Sequence, residues 1–299
     1  MKTKKRFPMH IVVFLAPAIL IYTAFMIYPL VDSLRLSLFV QGLDFKEQFV
    51  GLDNYRKLLT SEPFAPQLWN ALRNNLVFFA IHMLVQNPLG LLLAVLLATR
   101  VRGSAVYRTL IFVPTILSVV LVGFAWRLML SPVWGISDQI PLLNLMNLGL
   151  EASALPSVSL ISVWQNVGIP MMLFLAVLIG IPSELVEAAR IDGANPWTVF
   201  WRIQFPLILP TVGIVAVLTF VGNFNAFDLV YASQGALAGP DFHTDLLGTL
   251  FYRTFFGFQL QRGDPYLGSA VAGVMLLIIL TGVLVYLFAW QRRLQRIEL

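Results

Sequence analysis

Six long apolar segments dominate this chain and limit what it can fold into. They cover roughly residues 11–31, 74–98, 107–130, 156–181, 206–227 and 268–290. Each is long enough to cross a bilayer as a helix, which takes about 20 mainly apolar residues. Charged residues make up only 12% of the chain, against roughly 25% in a typical soluble domain. We therefore predict an all-α, polytopic membrane protein with six transmembrane helices, formed as one domain over residues 1–299.

The distribution of charge predicts the orientation of these helices. With the N-terminus in the cytoplasm, the stretches on that side hold twelve basic and four acidic residues, and the other side holds eight basic and eleven acidic residues. Short cytoplasmic loops carry an excess of Lys and Arg. Both termini and the loop 182–205 are therefore expected in the cytoplasm. The first apolar segment is long for a signal peptide and lacks a clear cleavage site, which favours a retained helix.

Composition also excludes several classes of function. The isoelectric point of about 9.6 reflects basic residues in short loops between apolar segments, which is the pattern of topology signals rather than of nucleic-acid binding. The chain has no cysteine, so it has no disulfide, thiolate metal site or cysteine nucleophile. It also lacks GxxxxGK[ST], the phosphate-binding loop that ATP hydrolysis would need.

The apolar segments contain few ionisable residues, chiefly His82 and, at a boundary, Arg127. A carrier driven by protons or sodium usually keeps relay groups inside the membrane. A lone histidine at His82 is more typical of a packed residue than of a relay.

Three longer loops are expected on the outer side, at residues 32–73, 131–155 and 228–267. The first would contain a short surface helix that begins at Asp53 or Asn54. The third is rich in turn-forming residues around 235–241. These loops either receive a soluble partner or simply connect helices.

A polar island interrupts the apolar pattern at residues 184–206. It begins with a short predicted helix in which Ser183 is the N-cap, and Glu184 and Glu187 occupy the first turns, where carboxylates favour the positive helix end. Asp192 and Gly193 would end this helix, because glycine adopts the left-handed conformation at low cost.

A second short helix would follow, with Asn195 as its cap and Pro196 as its first residue, and Phe205-Pro206 would end it. The island could be a helical hairpin lying on the lipid headgroups. Its paired carboxylates also suit general acid–base chemistry, but no nucleophile, base or metal ligand converges on them in sequence.

The island resembles the EAA loop of ABC importer permeases. That pattern reads EAA, three residues, Gly, nine residues, Ile, one residue, Leu-Pro. This chain matches it at the correct spacing, with Phe in place of Leu as the one departure, through Glu187, Ala188, Ala189, Gly193, Ile203, Phe205 and Pro206. Four stretches resemble the maltose- and glycerol-phosphate-type sugar permeases: 49–55, 102–114, 181–197 and 224–231. Within this group, the chain resembles the first of two unlike permease subunits. It lacks the large periplasmic insert of the maltose-type subunit.

This resemblance implies a type I ABC importer permease fold in a bacterial inner membrane. It implies a heterodimer with a second, homologous permease subunit, two ATPase subunits that bind ATP and Mg, an external solute-binding protein, and a small solute, a sugar. This chain would bind no cofactor and would not be an enzyme. The residues implied in contact with an ATPase are Glu184, Glu187, Ala188, Ala189, Asp192, Gly193, Ile203 and Pro206.

Polar and aromatic residues in the fourth and fifth segments form a candidate substrate pathway: Trp164, Gln165, Asn166, Thr219 and Asn223. Gly168 and Pro170 predict a local break in the fourth helix, which is tolerated where it faces protein or a water-filled cavity. Thr219 and Asn223 share one helix face, and the resemblance aligns both with sugar-contacting positions of maltose-type subunits. Such residues also join helices by hydrogen bonds.

Three alternatives stay open. The same kind of importer could carry a polyol or a phosphodiester. An ion- or proton-coupled secondary transporter would take up its solute without an ATPase. A membrane-embedded enzyme is the least supported, because the sequence shows no convergent catalytic constellation.

Overall fold

The computed structural model of the protein describes residues 9–42, 44–99, 102–131, 135, 140, 143, 145–259 and 261–291. The basic residues of both termini and Arg100, on which the predicted orientation partly depends, lie outside the described residues.

Helices make up most of the described structure. In chain order they are α1 Met9–Tyr22, α2 Tyr28–Leu36, α3 Asp53–Thr60, α4 Phe64–Ile81, α5 Asn87–Ala98, α6 Ser104–Ile116, α7 Val119–Met129, α8 Glu151–Asn166, α9 Gly168–Gly180, α10 Ser183–Ile191, α11 Pro196–Val199, α12 Phe205–Phe224, α13 Asp228–Gln234, α14 Leu247–Phe256 and α15 Pro265–Val285. Two small antiparallel ribbons pair β1 Phe39–Gln41 with β2 Glu47–Phe49 and β3 Gly257–Phe258 with β4 Gln261–Arg262. The predicted surface helix is present as α3, and it begins at Asp53.

Four helices are long and apolar enough to cross a membrane: Val13–Leu36, Phe64–Ala98, Pro196–Phe224 and Pro265–Ala289. Two further helix pairs pass the same test only together. The axes of α8 and α9 differ by 41°, and those of α6 and α7 by 93°. The described residues therefore hold four spans, or up to six if each bent pair counts as one.

The predicted break in the fourth segment is confirmed at Val167, between α8 and α9. The segment predicted as one helix over 107–130 is instead divided, because Leu117 and Ser118 are extended. The break frees the carbonyl of Leu117, which accepts a bond from Gln165 Nε2 of α8 at 3.1 Å. A partner from another helix therefore satisfies the bend.

Three continuous helices pass through prolines by means of a wider, π-helical turn. These turns are Thr23–Ile27, His82–Gln86 and Phe200–Gln204, and Pro29, Pro88 and Pro206 each follow two residues later. The N–H of the residue that follows each turn bonds to the carbonyl of the first residue of the turn, five residues earlier. The wider turn accommodates a proline, whose ring would otherwise clash with the carbonyl four residues before it.

This geometry corrects one prediction about the polar island. The second short helix was expected to end at Phe205-Pro206, but Pro196–Phe224 is one helix of 29 residues. The π-helical turn at Phe200–Gln204 lets it continue.

In the described part of the chain, three apolar clusters hold the bundle together. One joins α4, α7, α8 and α13 around Phe78 and Ile161. A second joins α3, α4, α12, α14 and α15 around Phe224, and a third joins α5, α9 and α12 around Phe174. In contrast, no residue of Val13–Leu36 is buried, so the first span lies on the outside of the described bundle.

A buried ion pair fixes the loop between α13 and α14, where Gly235 and Gly239 have the positive φ angles expected of turns. Arg253 Nη2 lies 2.7 Å from Asp245 Oδ2, and the two side chains are 3% and 1% exposed. Thr249 Oγ1 donates a further bond to Asp245 Oδ1 at 2.6 Å. Burial raises the pKa of Asp245, while Arg253 and Thr249 oppose that shift. Removing water from both charges is costly. Loss of one partner would therefore leave an unpaired buried charge, which strongly destabilises a protein.

We predict that Arg253→Met destabilises the protein by about 3–5 kcal/mol, because it leaves the buried carboxylate of Asp245 uncompensated. The measurement is the thermal unfolding midpoint of the purified protein in detergent. Lys57→Met is the matched control, since the Lys57–Asp53 pair is 44% and 43% exposed and such pairs contribute at most about 1 kcal/mol. Equal shifts for the two variants would contradict the prediction.

Candidate functional site

The polar elbow, defined as residues 182–205, protrudes from the bundle between α9 and α12. Its helix α10 has no buried residue. Glu184, Glu187 and Ala188 are exposed, and Ala189 is partly buried. The prediction of Ser183 as N-cap is wrong. Pro182 takes that position with an extended backbone, and Ser183 is already helical.

A Schellman motif closes α10. The N–H of Gly193 bonds to the carbonyl of Arg190 at 3.1 Å, and that of Ala194 to the carbonyl of Ala189 at 2.9 Å. Gly193 has a φ of +83°, which glycine adopts without the steric cost of other residues. A Cβ added at Gly193 would meet no atom within 4 Å, so the position requires glycine for its backbone angle alone.

The second half of the elbow begins with a side-chain cap. Asn195 Oδ1 accepts a bond from Thr198 N at 2.8 Å, and Pro196 is the first helical residue, as predicted. Trp197 is 71% exposed, and its ring centroid lies 5.6 Å from that of Trp201. Ile203 is partly buried and Pro206 is exposed.

The charges of the elbow have no partner within the part of the chain that the structure describes. Among the described residues, Glu184, Glu187 and Asp192 make no side-chain hydrogen bond or ion pair, and neither do Arg190 and Arg202. The carboxylates are exposed. They are therefore available to another molecule without breaking any contact of this chain.

A cavity of about 310 Å³ lies deeper in the bundle, lined by parts of α4, α8, α9, α12, the π-helical turn His82–Gln86 and residues 225–230. Four of the five predicted pathway residues line it: Gln165, Asn166, Thr219 and Asn223. Trp164 does not. Its ring packs edge-on against Trp126, with the centroids 5.6 Å apart.

The lining residues are held partly by bonds between helices. Thr219 Oγ1 donates to Asn87 Oδ1 at 3.2 Å, and Gln165 Nε2 donates to the carbonyl of Leu117 at 3.1 Å. Three buried polar atoms of the lining residues have no partner in the described structure: Gln86 Oε1, Gln165 Oε1 and Asn223 Nδ2. Unpaired buried amide groups are costly, so these three side chains hold hydrogen-bonding capacity that the described structure does not use.

The cavity is also lined by three polar residues that the sequence did not predict: Gln86, Ser162 and Asp228. The spacing of Gln86 could have indicated its position, because it lies four residues after His82 and therefore on the same helix face. His82 is packed, as predicted. Its Nδ1 donates to the carbonyl of Phe78 at 2.7 Å, and its Nε2 lies 2.9 Å from Ser162 Oγ.

These features define a class, a polytopic helical membrane protein with an exposed polar elbow and a cavity that several amide and hydroxyl side chains line. Residues 86–296 match the family described as the binding-protein-dependent transport system inner membrane component. The chain belongs to this family, whose members are transport components rather than enzymes. The resemblance to ABC importer permeases is thereby confirmed.

Individual proteins support this assignment. The chain is 31% identical over 245 residues to the multiple sugar-binding transport system permease protein MsmF of Streptococcus mutans, covering 81% of this chain and 80% of that protein. It is 32% identical over 276 residues to the osmoprotective compounds uptake permease protein GgtC of Synechocystis sp., covering 89% and 93%. Its fold matches a chain of a bacterial ABC transporter that imports alginate, with a TM-score of 0.73 at 23% identity over 94% of this chain and 96% of that chain.

We predict that Gly193→Ala loosens the end of α10, because a non-glycine residue in the left-handed region costs roughly 1–2 kcal/mol. Amide hydrogen exchange over residues 188–194 should accelerate about 5- to 30-fold. Gly180→Ala is the matched control, since its added Cβ also meets no atom within 4 Å and its φ is not positive. Unchanged exchange in Gly193→Ala would contradict the prediction.

Proposed function

We propose that this chain is one permease subunit of an ATP-driven importer for a sugar or a similar neutral, polyhydroxylated solute. In the bacterial inner membrane it pairs with a second, homologous permease subunit. Two ATPase subunits, which bind the ATP and Mg, dock on the elbow from the cytoplasm, and an external solute-binding protein delivers the solute. The excess of basic residues on the side of the elbow supports this orientation.

The observation that carries the proposal is the state of the elbow. Glu187, Ala188 and Ala189 of the EAA pattern lie on α10, which has no buried residue, and the Schellman motif at Gly193 fixes the end of this helix. The carboxylates of Glu184 and Glu187 have no partner within the described part of the chain. A rigid, charged and unpartnered element suits docking into a groove of another protein, with Glu187 as a charged contact.

The helix that follows α10, Pro196–Phe224, connects the elbow to the cavity. Pro196–Phe224 is continuous over 29 residues, or about 43 Å at 1.5 Å per residue. It begins in the elbow beside Trp197 and ends at the cavity, where Thr219 and Asn223 line the wall. A displacement of the elbow by an ATPase would therefore move the cavity wall, which is the movement that alternating access needs.

The cavity favours a neutral solute over a phosphodiester. Its described lining offers amides and hydroxyls, one carboxylate at Asp228, and no lysine or arginine. Recognition of phosphate uses Arg or Lys, and none lines this cavity. Amide and hydroxyl groups can bond to sugar or polyol hydroxyls, in agreement with relatives named for sugars and osmoprotective compounds.

We predict that Glu187→Ala leaves the protein inserted and ATP hydrolysis active but reduces solute uptake about tenfold or more. The reason is the loss of a charged contact, which contributes about 1.5–3 kcal/mol. The measurement compares uptake with ATP hydrolysis in proteoliposomes that contain the whole complex. Asp44→Ala, an exposed carboxylate outside the elbow, should leave both activities unchanged.

Two outcomes would contradict this proposal. Wild-type uptake by Glu187→Ala would remove the coupling role of the elbow. Uptake that persists without any ATPase subunit would instead support an ion- or proton-coupled carrier.

For the cavity, we predict that Asn223→Ala raises the KM of uptake about 2- to 10-fold, because one hydrogen bond contributes about 0.5–1.5 kcal/mol. The effect should differ between solutes with different hydroxyl patterns. Asn147→Ala is the control, since its amide oxygen bonds to Gly149 N outside the cavity. If Asn223→Ala and the unchanged protein have equal KM values for every solute, Asn223 has a role in packing alone.

A further inference from the structure

Glu151, Asp241 and His243 come together at the end of α8 that lies away from the elbow. Glu151 is the first residue of α8. Asp241 lies in the 3₁₀ turn Pro240–Phe242, and His243 follows it. One ligand atom from each residue lies within 4.8 Å of the other two.

The ring of His243 is oriented by the backbone of this turn. Its Nδ1 lies 3.0 Å from the carbonyl oxygen of Pro240 and 3.2 Å from that of Asp241. A carbonyl oxygen only accepts, so Nδ1 carries the proton, and in the neutral ring Nε2 carries the lone pair. Histidines that bind metals are usually held in this way, with the other ring N–H donated to a carbonyl or a carboxylate.

The lone pair of His243 Nε2 faces a negative charge. Glu151 Oε2 lies 3.5 Å from it, and both side chains are partly exposed. A neutral imidazole nitrogen and a carboxylate oxygen repel each other at this distance unless a proton or a cation lies between them. The arrangement therefore selects a positively charged occupant, and Asp241 adds a second carboxylate on the same side.

We propose that Glu151, Asp241 and His243 bind a divalent transition-metal ion of the Zn²⁺ type. One imidazole with two carboxylates suits Zn²⁺, whereas Mg²⁺ and Ca²⁺ favour oxygen ligands alone. Ligand atoms about 2.0–2.1 Å from a tetrahedral ion lie roughly 3.3 Å apart, close to the separation of His243 and Glu151. The exposed carboxylate of Asp241 completes the set by a small side-chain rotation, and water takes the fourth position.

Binding would join three elements of the fold. The turn that carries Asp241 and His243 is already tied to α4, because Asn70 Nδ2 donates to the carbonyl of Phe242 at 2.9 Å. A metal ion would add α8 to this connection. The loop before α14 would then be fixed to two spans that line the cavity. This inference is independent of the proposed function.

The test is titration of Zn²⁺ alone into the full chain in lipid nanodiscs at pH 7.5, followed by calorimetry. The protein is purified without a histidine tag. Background binding of Zn²⁺ by other side chains is low, because the chain has no cysteine and only three histidines. One of these, His82, is buried. We expect one Zn²⁺ per chain and a higher thermal unfolding midpoint with Zn²⁺ present.

Variants separate this site from weak surface binding. His243→Ala and Glu151→Gln should each weaken binding by more than about tenfold, since losing even an outer partner of a metal ligand costs about 10- to 100-fold. Asp44→Asn should bind as the unchanged protein does. If a variant misfolds, the absorption spectrum of Co²⁺ bound to the unchanged protein reports tetrahedral nitrogen and oxygen ligation directly.

Failure to bind Zn²⁺, or equal binding by His243→Ala, would overturn the proposal and leave a protonated His243 paired with Glu151. A Co²⁺ spectrum of the hydrated ion would overturn it as well.

Discussion

Two hydrogen bonds join the breaks in the two bent helix pairs. Thr115 Oγ1 donates to the carbonyl of Gln165 at 2.8 Å, and Gln165 Nε2 donates to the carbonyl of Leu117 at 3.1 Å. A helix that breaks where water is scarce frees carbonyls that must find donors within the protein. Gly168 permits the approach, because a Cβ there would lie 3.0 Å from Phe112 Cα. The cavity lies beside these joined breaks, and the side-chain amide of Gln165, which bonds to the carbonyl of Leu117, also lines it.

The cavity and the elbow are connected by a helix that proline residues do not interrupt. The π-helical turn Phe200–Gln204 allows Pro206 within Pro196–Phe224, and His82–Gln86 does the same for Pro88 within Phe64–Ala98. Both turns keep a long helix intact where a proline would otherwise bend or end it. The second turn also places His82 and Gln86 in the cavity wall. The π-helical turns therefore keep the spans long, and one of them also places polar side chains in the wall of the cavity.

Local chemistry made the elbow predictable from the sequence. The stop at Gly193 and the cap at Asn195 depend on neighbouring residues alone, whereas the choice of Pro182 over Ser183 as N-cap depends on one extended backbone angle. The interior of the bundle was harder to predict from the sequence. The 93° bend, the contact of Trp164 with Trp126 and the joining of Thr115 to Gln165 are tertiary contacts between distant segments. Apolar length predicts that a segment can cross a membrane, but it does not show where that segment bends or which amide meets which carbonyl.

The proposed function requires that the elbow faces the cytoplasm and contacts an ATPase. The absence of cysteine from the chain allows a direct measurement with a single Ala188→Cys variant in intact cells and in the assembled complex. We expect that a membrane-impermeant thiol reagent leaves this cysteine unlabelled from outside, and that a short bifunctional cross-linker joins it to an ATPase subunit. Labelling from outside, with no cross-link to any ATPase, would contradict the proposed function.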